Sequence, residues 1–386
     1  MKNELFYKGS FGIERETLRV DRNDRFAQTP HPFTEGVNKG ITRDFCENQI
    51  ELITPVCSSV REAVSELEKL DRIVRERLDG TGERLWIYSN PPHFDSEEDI
   101  PIAAFTGEHS GKTHYRRQLE KRYGRKLMTF SGVHFNFSFD DEYLRTLCGA
   151  ADYEEWKNGF YLRLYKQLSI HSWLPLLLTA ASPIYDRSLD KDGASGCVFG
   201  KYASVRNSER GYWNSFVPVL EFESLDKFVS SIKSHVESGR LFSASELYLP
   251  IRLKPNGVNS IGNFANGVSH VELRMFDLNP TTPLGVDGRD LEFAHLLIMY
   301  LSRQPDFDYT PELQKQAVEN HRNASLYDLV GVRIGGVPIL DKASEILDDM
   351  LLFFCGDDEA RDIIGYEKRK LGNRLCERIT AGRVCG

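Results

Sequence analysis

Several stretches of this chain place ionisable side chains where a folded core would ordinarily be apolar. Phe11-Gly12-Ile13-Glu14-Arg15-Glu16-Thr17-Leu18-Arg19-Val20 has the pattern of a β-strand. Glu14 and Glu16 lie two apart in it and therefore share one face. Farther on, Asp44, Glu47 and Glu51 interrupt a segment, 44–55, that is otherwise fit for burial. Carboxylates in such places cost free energy unless a cation meets them. Two later segments repeat the pattern. In Ser131–Phe139 the residues His134, Asn136 and Ser138 alternate with Val133, Phe135, Phe137 and Phe139. In His270–Phe276, His270, Glu272 and Arg274 alternate with Val271, Leu273 and Met275. An ordinary solvent-facing strand would be richer in Lys and Thr, so a shared polar site is the better reading.

Oxygen donors with one histidine suit Mg²⁺ or Mn²⁺ better than zinc, which favours Cys and His. Hard cations with arginines nearby point to phosphoryl transfer, where charge developing on oxygen is neutralised from several directions. The chain has no GxxxxGK[ST] loop and no kinase-like GxGxxG. ATP would then be held by metals and side chains on a sheet, the arrangement of a carboxylate–amine ligase.

The elements that must position these groups alternate irregularly. Strands are expected at Gly12–Val20, Ser131–Phe139, Tyr248–Arg252 and Ser269–Phe276. A helical stripe runs through Val60, Ala63, Val64, Leu67, Leu70, Val74 and Leu78, with charges opposite. Tyr153–Ala180 reads as one long helix or two, interrupted near Pro175, and Asp226–Ser238 as another helix. This order lacks the regular alternation of a parallel α/β fold and predicts α+β with an antiparallel sheet. Ser188–Ala203 has loop composition and is expected to act as a lid or substrate loop. Beyond Gly288 the chain reads mainly as helices, with a glycine-rich turn over Gly331–Gly336. The expected division is a catalytic core over 1–287 and a helical segment over 288–386 packed on it.

A net charge of −8 argues against nucleic acid as the main partner. The longest apolar run, Trp173–Ala181, contains a proline and is about half a membrane span, so no membrane partner is expected. The amino terminus shows no signal-peptide apolar core. Cysteines at 46, 57, 148, 197, 355, 376 and 385 form no CxxC pair, which suits reduced thiols and a cytoplasmic location. The oligomeric state is left open by the sequence.

Five blocks carry a family resemblance: 12–20, Asp44-Phe45 through Glu51-Leu52-Ile53-Thr54-Pro55, Tyr115-Arg116 with Arg122-Tyr123-Gly124, 131–138, and Asp277-Leu278-Asn279-Pro280. In this order they resemble glutamate–cysteine ligase, and most closely its bacterial, proteobacterial-type branch. The resemblance implies a glutamine-synthetase-like fold whose curved antiparallel sheet floors the site. It implies that Glu14, Glu16, Asp44, Glu51, His134 and Glu272 hold Mg²⁺ ions bridging ATP and glutamate, and that Arg274 meets the transferred phosphoryl group. Arg206 and Tyr212 match a substrate segment, and Tyr248, Tyr115 and Arg116 match the pocket for the amine substrate. The implied activity joins L-glutamate to L-cysteine through γ-glutamyl phosphate, the first step of glutathione synthesis.

Three departures accompany the match. The chain is shorter than the full-length bacterial enzymes beyond Asp287, Phe135 replaces a usual tyrosine, and Met128 stands where glutamine is usual. Met128 is therefore a candidate substrate contact that could alter acceptor choice, since a thioether cannot replace an amide's hydrogen bonds. The alternatives are a γ-glutamyl ligase for another small amine, or a non-catalytic homologue that kept the fold. Glu47 is expected to support its neighbours, and His270 to fill the polar face.

Overall fold

The computed structural model describes residues 4–34, 37–105, 110–149 and 152–381; residues 1–3 of the amino terminus and Cys385 lie outside them. Alternation in the first strand segment is realised as β1 (Gly9–Val20), whose Phe11 and Ile13 are buried on one face while Glu14 and Glu16 turn to the other. Around it assemble β2 (Ile41–Thr42), β3 (Gln49–Ile53), β4 (Arg84–Trp86), β5 (Gly132–Phe139), β8 (Ile251–Pro255) and β9 (Val268–Asp277). These seven strands make one antiparallel sheet in the order β2-β3-β1-β5-β9-β8, with β4 also pairing to β1. A small ribbon joins β6 (Tyr185–Asp186) to β7 (Cys197–Val198). The glycine-rich turn closes a hairpin that joins β10 (Arg333–Ile334) to β11 (Val337–Pro338), with Gly335 and Gly336 both at positive φ as a two-residue turn requires.

The first half of the chain supplies helices α1 (Glu4–Tyr7), α2 (Val60–Leu78), α3 (Ser110–Tyr123), α4 (Asp141–Cys148), α5 (Tyr153–His171), α6 (Trp173–Thr179) and, later, α7 (Leu225–Glu237). The carboxy-terminal part supplies α8 (Gly288–Ser302), α9 (Pro311–Ala324), α10 (Ile339–Phe353), α11 (Asp358–Lys370) and α12 (Leu375–Ala381). One apolar cluster unites Ile13, Phe135 and Leu273 of the sheet with Leu67 of α2, Leu164 of α5, Leu176 of α6 and Phe293 of α8. Helices α2, α5, α6 and α8 thus cover one face of the sheet, and the other carries the charged residues.

Three expectations are refined. The break between α5 and α6 falls at Ser172, and Pro175 is the third residue of α6. A proline is tolerated there because the first-turn amides have no intrahelical carbonyl to reach. The strand expected at 248–252 starts at Ile251, because Tyr248 N donates to Asn214 Oδ1 (3.0 Å) instead of the ladder and Pro250 has no N–H to give. The 188–203 segment is not a free lid: Gly193 N donates to Phe94 O, Asp192 pairs with Lys126 at 3.6 Å, and Ala203 N donates to Ser325 O.

The helix-side face of β1 also carries charge. Arg15, 1% exposed, gives Nη2 to Asp71 Oδ1 of α2 at 2.6 Å and Nη1 to Leu284 O. Arg19 is buried likewise against Glu83 (2.5 Å) and Thr29. Asp71 is the one charged residue in the buried stripe of α2. Asp71→Asn would strip the charge that compensates Arg15. It is expected to lower unfolding free energy by about 2–3 kcal/mol in urea titrations. A loss below about 0.5 kcal/mol would show that Arg15 finds another partner.

Candidate active site

The strand register lines up the charged face. Glu16 on β1 stands opposite Glu51 on β3, and Glu14 opposite His134 on β5. Asn136 on β5 faces Glu272 on β9, which in turn faces Arg252 on β8, while Lys254 stands opposite His270. Between Val133 and Phe135 the β5–β9 register shifts by one residue, so His134 is met by both Arg274 and Met275. Met275 and Phe276 are both buried.

At the centre, donor atoms of Glu14, His134 and Glu272 lie within 4.8 Å of one another. His134 Nδ1 is 3.2 Å from Glu14 Oε2 and 3.5 Å from Glu272 Oε1, and its Nε2 is 3.9 Å from Glu16 Oε1. Asn136 Nδ2 donates to Glu14 Oε1 at 3.2 Å. Burial, then the Arg274 charge, pushes His134 down to about 4, leaving a neutral imidazole near neutral pH.

Toward β3 the acids outnumber the cations. Burial and then the Asp44 charge raise Glu16 to about 8, despite Arg206 and Arg274. Glu51 is raised well above the usual carboxylate range by burial and then by Asp44, Glu14 and Glu16. Asp44 itself sits in the loop before β3, not on a strand, which reconciles its spacing of seven from Glu51. Arg116 of α3 reaches Asp44 through its backbone oxygen and through Oδ1 at 3.4 Å.

Toward β8 the balance reverses. Glu272 is wholly buried, and its Oε1 lies 3.2 Å from both Arg274 Nη1 and Lys254 Nζ, while Arg252 Nε is 3.8 Å from Oε2. Burial alone would raise this carboxyl; Arg274, Lys254 and Arg252 together hold it well below its ordinary range. Burial works against the Arg274 charge, but Glu272 and then Glu16 keep it firmly protonated. Arg206 Nη1 donates to Arg274 O at 2.8 Å, and its Nη2 is 3.5 Å from His134 Nε2. Its guanidinium lies 2.3 Å from where a Cβ at position 132 would be, so any larger residue there would push it out of this position. The segment carrying Arg206 is tied to the sheet by Asp277, which accepts from Ser204 Oγ (3.0 Å) and Asn207 Nδ2 (3.3 Å).

Beyond Arg274 stands a wall of tyrosines. The Tyr212 and Tyr248 ring centroids are 4.0 Å apart, Tyr123 meets Tyr248 at 5.6 Å, and Tyr115 lies against Phe242. Burial raises the phenols of Tyr212 and Tyr248, so both stay protonated. Met128 is buried behind this wall, in an apolar cluster with Leu18, Phe45, Phe94 and Leu119 against which Tyr115, Tyr123 and Tyr212 pack.

Glu14, Glu16, Asp44, Glu51, His134, Glu272, Arg206 and Arg274 thus converge on one face, with Tyr115, Arg116, Tyr212 and Tyr248 at its rim. Glu47 turns away to Arg43 Nη1 (2.6 Å), His31 N and Ala104 N, bracing the loop. His270, pushed down to about 4 by burial and then Lys254, lies outside the central trio. Arg252 and Lys254 escaped sequence reasoning. The alternation Ile251-Arg252-Leu253-Lys254-Pro255, buried at its odd positions, was the signal that could have found them.

Comparison with known proteins bears on the family and the fold. The family model for glutamate–cysteine ligase matches residues 1–244 and 238–324. The bifunctional glutathione biosynthesis protein GshAB of Listeria monocytogenes is 36% identical over 397 aligned residues, covering 95% of this chain and 51% of that protein. Its counterpart in Clostridium perfringens is 32% identical, covering 96% and 51%. The chain therefore spans about half the length of the curated relatives it matches. Among solved structures, the bifunctional glutathione synthetase of Pasteurella multocida superposes with a TM-score of 0.85 at 24% identity over 98% of this chain and 50% of that one. A glutamate–cysteine ligase from Francisella tularensis, solved with AMP, also gives 0.85, at 23% identity over 97% and 84%. The fold is thus the glutamine-synthetase-like one, and the chain belongs to the glutamate–cysteine ligase family.

Proposed function

We propose that this chain joins the γ-carboxylate of L-glutamate to the amine of L-cysteine, using ATP and releasing ADP and phosphate. The observation that carries the reading is the single sheet face on which Glu14, His134 and Glu272 come within metal-holding distance beside Arg274 and Arg206.

The residues fit divalent cations. Oxygen donors with one neutral imidazole are the donor set of Mg²⁺ or Mn²⁺. Glu272 Oε2 is buried with no hydrogen-bond partner among the described residues. Glu16 and Glu51 are raised by burial and then by the Asp44 charge, and a cation would offset both. Glu14, Glu16, Asp44, Glu51, His134 and Glu272 would hold the ions. Bound there, Mg²⁺ would neutralise and draw together the phosphate and carboxylate oxygens.

The chain's own groups then divide the work. A cleft of about 330 Å³, lined by Gly12, Glu14, Asn136, Ser138 and His270, adjoins the trio, and we place the nucleotide there. Arg274, held as a cation by Glu272, faces the transferred phosphoryl group. The γ-carboxylate oxygen attacks phosphorus and ADP departs. The amine nitrogen then attacks the acyl carbon of γ-glutamyl phosphate, the carbon–oxygen bond breaks, and phosphate leaves as the nitrogen loses a proton. Arg206 holds substrate beside Arg274, and Tyr115, Arg116, Tyr212 and Tyr248 shape the acceptor side. Met128 supports those tyrosines from behind. Among the described residues no helix is long and apolar enough to cross a membrane. With the buried thiols Cys46, Cys57 and Cys376, this supports a cytoplasmic setting.

The test is phosphate release with ATP, Mg²⁺, glutamate and a panel of amines. Release that requires both glutamate and cysteine is expected. Release with another amine but not cysteine would select a different γ-glutamyl ligase, and none with any amine would end the ligase reading.

A further inference from the structure

The reaction above leaves Lys254 without a role, although it is built into the site. Its side chain, 11% exposed, runs from β8 across to β9 and brings Nζ to 3.2 Å from Glu272 Oε1. That same oxygen is 3.2 Å from Arg274 Nη1 and 3.5 Å from His134 Nδ1, and Glu272 belongs to the trio suited to a divalent cation. An ammonium and a divalent cation on one carboxylate oxygen repel each other at close range in a poorly solvated setting. One of the cations must therefore move.

The two candidates differ in freedom. The Arg274 guanidinium is a rigid planar fork whose charge answers Glu16 as well as Glu272. Lys254 is a compact charge on a flexible four-carbon stem. It also stands opposite His270, whose side chain lines the cleft beside Glu14 and Asn136. A short swing away from Glu272 takes the ammonium toward that cleft.

We propose that Lys254 is a placeholder cation. It neutralises Glu272 in the metal-free protein, gives up Oε1 when a divalent ion binds, and turns to the phosphates of a nucleotide in the adjoining cleft. In this role it is a positioning residue, and the inference rests on the metal and nucleotide placement proposed above.

The two halves predict effects of opposite sign, which a merely structural lysine would not give. Mn²⁺ binding to the purified chain without nucleotide is measured by electron paramagnetic resonance, alongside KM for ATP and for glutamate. Lys254→Met is expected to bind Mn²⁺ about tenfold more tightly than the parent, because a competing charge is gone. It should raise KM for ATP about tenfold and leave KM for glutamate unchanged. Lys254→Arg should keep the parent's Mn²⁺ affinity. Thermal unfolding of Lys254→Met, with Lys254→Gln as a second neutral variant, verifies that the fold persists. Unchanged or weaker Mn²⁺ binding in both neutral variants, with binding abolished in Glu272→Gln, overturns the role of Lys254 and leaves the metal site standing. Undiminished Mn²⁺ binding by Glu272→Gln, or none by the parent, overturns the metal placement and the inference with it.

Discussion

Glu272→Gln is expected to lower turnover by about 10³-fold while the protein remains cooperatively folded, the scale on which one charge-stabilising group acts in a dry site. The substitution keeps the shape of the side chain and removes only its charge. That charge is wholly buried and sits among Arg274, Lys254, Arg252 and His134. Without it the central trio loses an anionic donor, and Arg274 loses the carboxylate that aims its guanidinium. Glu14 and Glu16 remain, so the cationic half keeps part of its compensation and the chain still folds. Steady-state kinetics with circular dichroism is the measurement. Turnover within about tenfold of the parent would remove Glu272 from the metal-holding set.

The second large effect is on metal affinity as a function of pH. Glu16 is raised from an ordinary 4.5 to about 8, and Glu51 is raised as well. A carboxyl raised on folding keeps a proton that the unfolded chain has already released. Between 4.5 and about 8 the metal-free folded protein therefore binds more protons, and its stability falls as pH rises. The slope is up to about 1.4 kcal/mol per pH unit for each such proton. A divalent cation displaces the proton, so its affinity must climb over the same window. The expected gain is up to about tenfold per pH unit for each displaced proton, about 100-fold over two units. Glu14 and Glu272, both lowered, stay ionised throughout and add nothing to this slope. Calorimetry in buffers of different ionisation enthalpy should register the released proton, and Glu16→Gln should flatten the dependence. A metal affinity independent of pH between about 6 and 8 would contradict the assigned repulsion.

Much of the floor of this site was legible because strands encode faces with a period of two. Glu14 with Glu16, His134 with Asn136, and Glu272 with Arg274 follow from spacing alone. Asp44 and Glu51 did not, because their meeting depends on a turn. There the Gln49 side chain accepts from Phe45 N and Cys46 N and folds the loop back onto β3. Lys254 was hidden by a frame error at Pro250, which moved the expected strand three residues toward the amino terminus. Arg15 and Arg19 lie on the same strand as Glu14 and Glu16, and the strand pattern says nothing of what they pair with. Their partners, Asp71 and Glu83, lie far along the chain, and nothing local announces such pairs. Met128 was marked by its place in a motif, but its surroundings come from elements distant in sequence.

The extra residue in β9 also governs which changes of chain length this enzyme fold can absorb. With Arg274 and Met275 both set against His134, Glu272 and Asp277 reach the same face although they are five positions apart, an odd interval. A one-residue deletion at the bulge would restore regular pleating and leave Glu272 in place. Glu272 and Asp277 would then be four positions apart and still share a face, whereas pleating the intact strand regularly would turn Asp277 away from Ser204 and Asn207, and hence from the segment that carries Arg206. The bulge thus sets the phase between the half of β9 that carries Glu272 and the end that anchors the Arg206 segment, and drift in loop length on either side of the strand leaves that phase untouched.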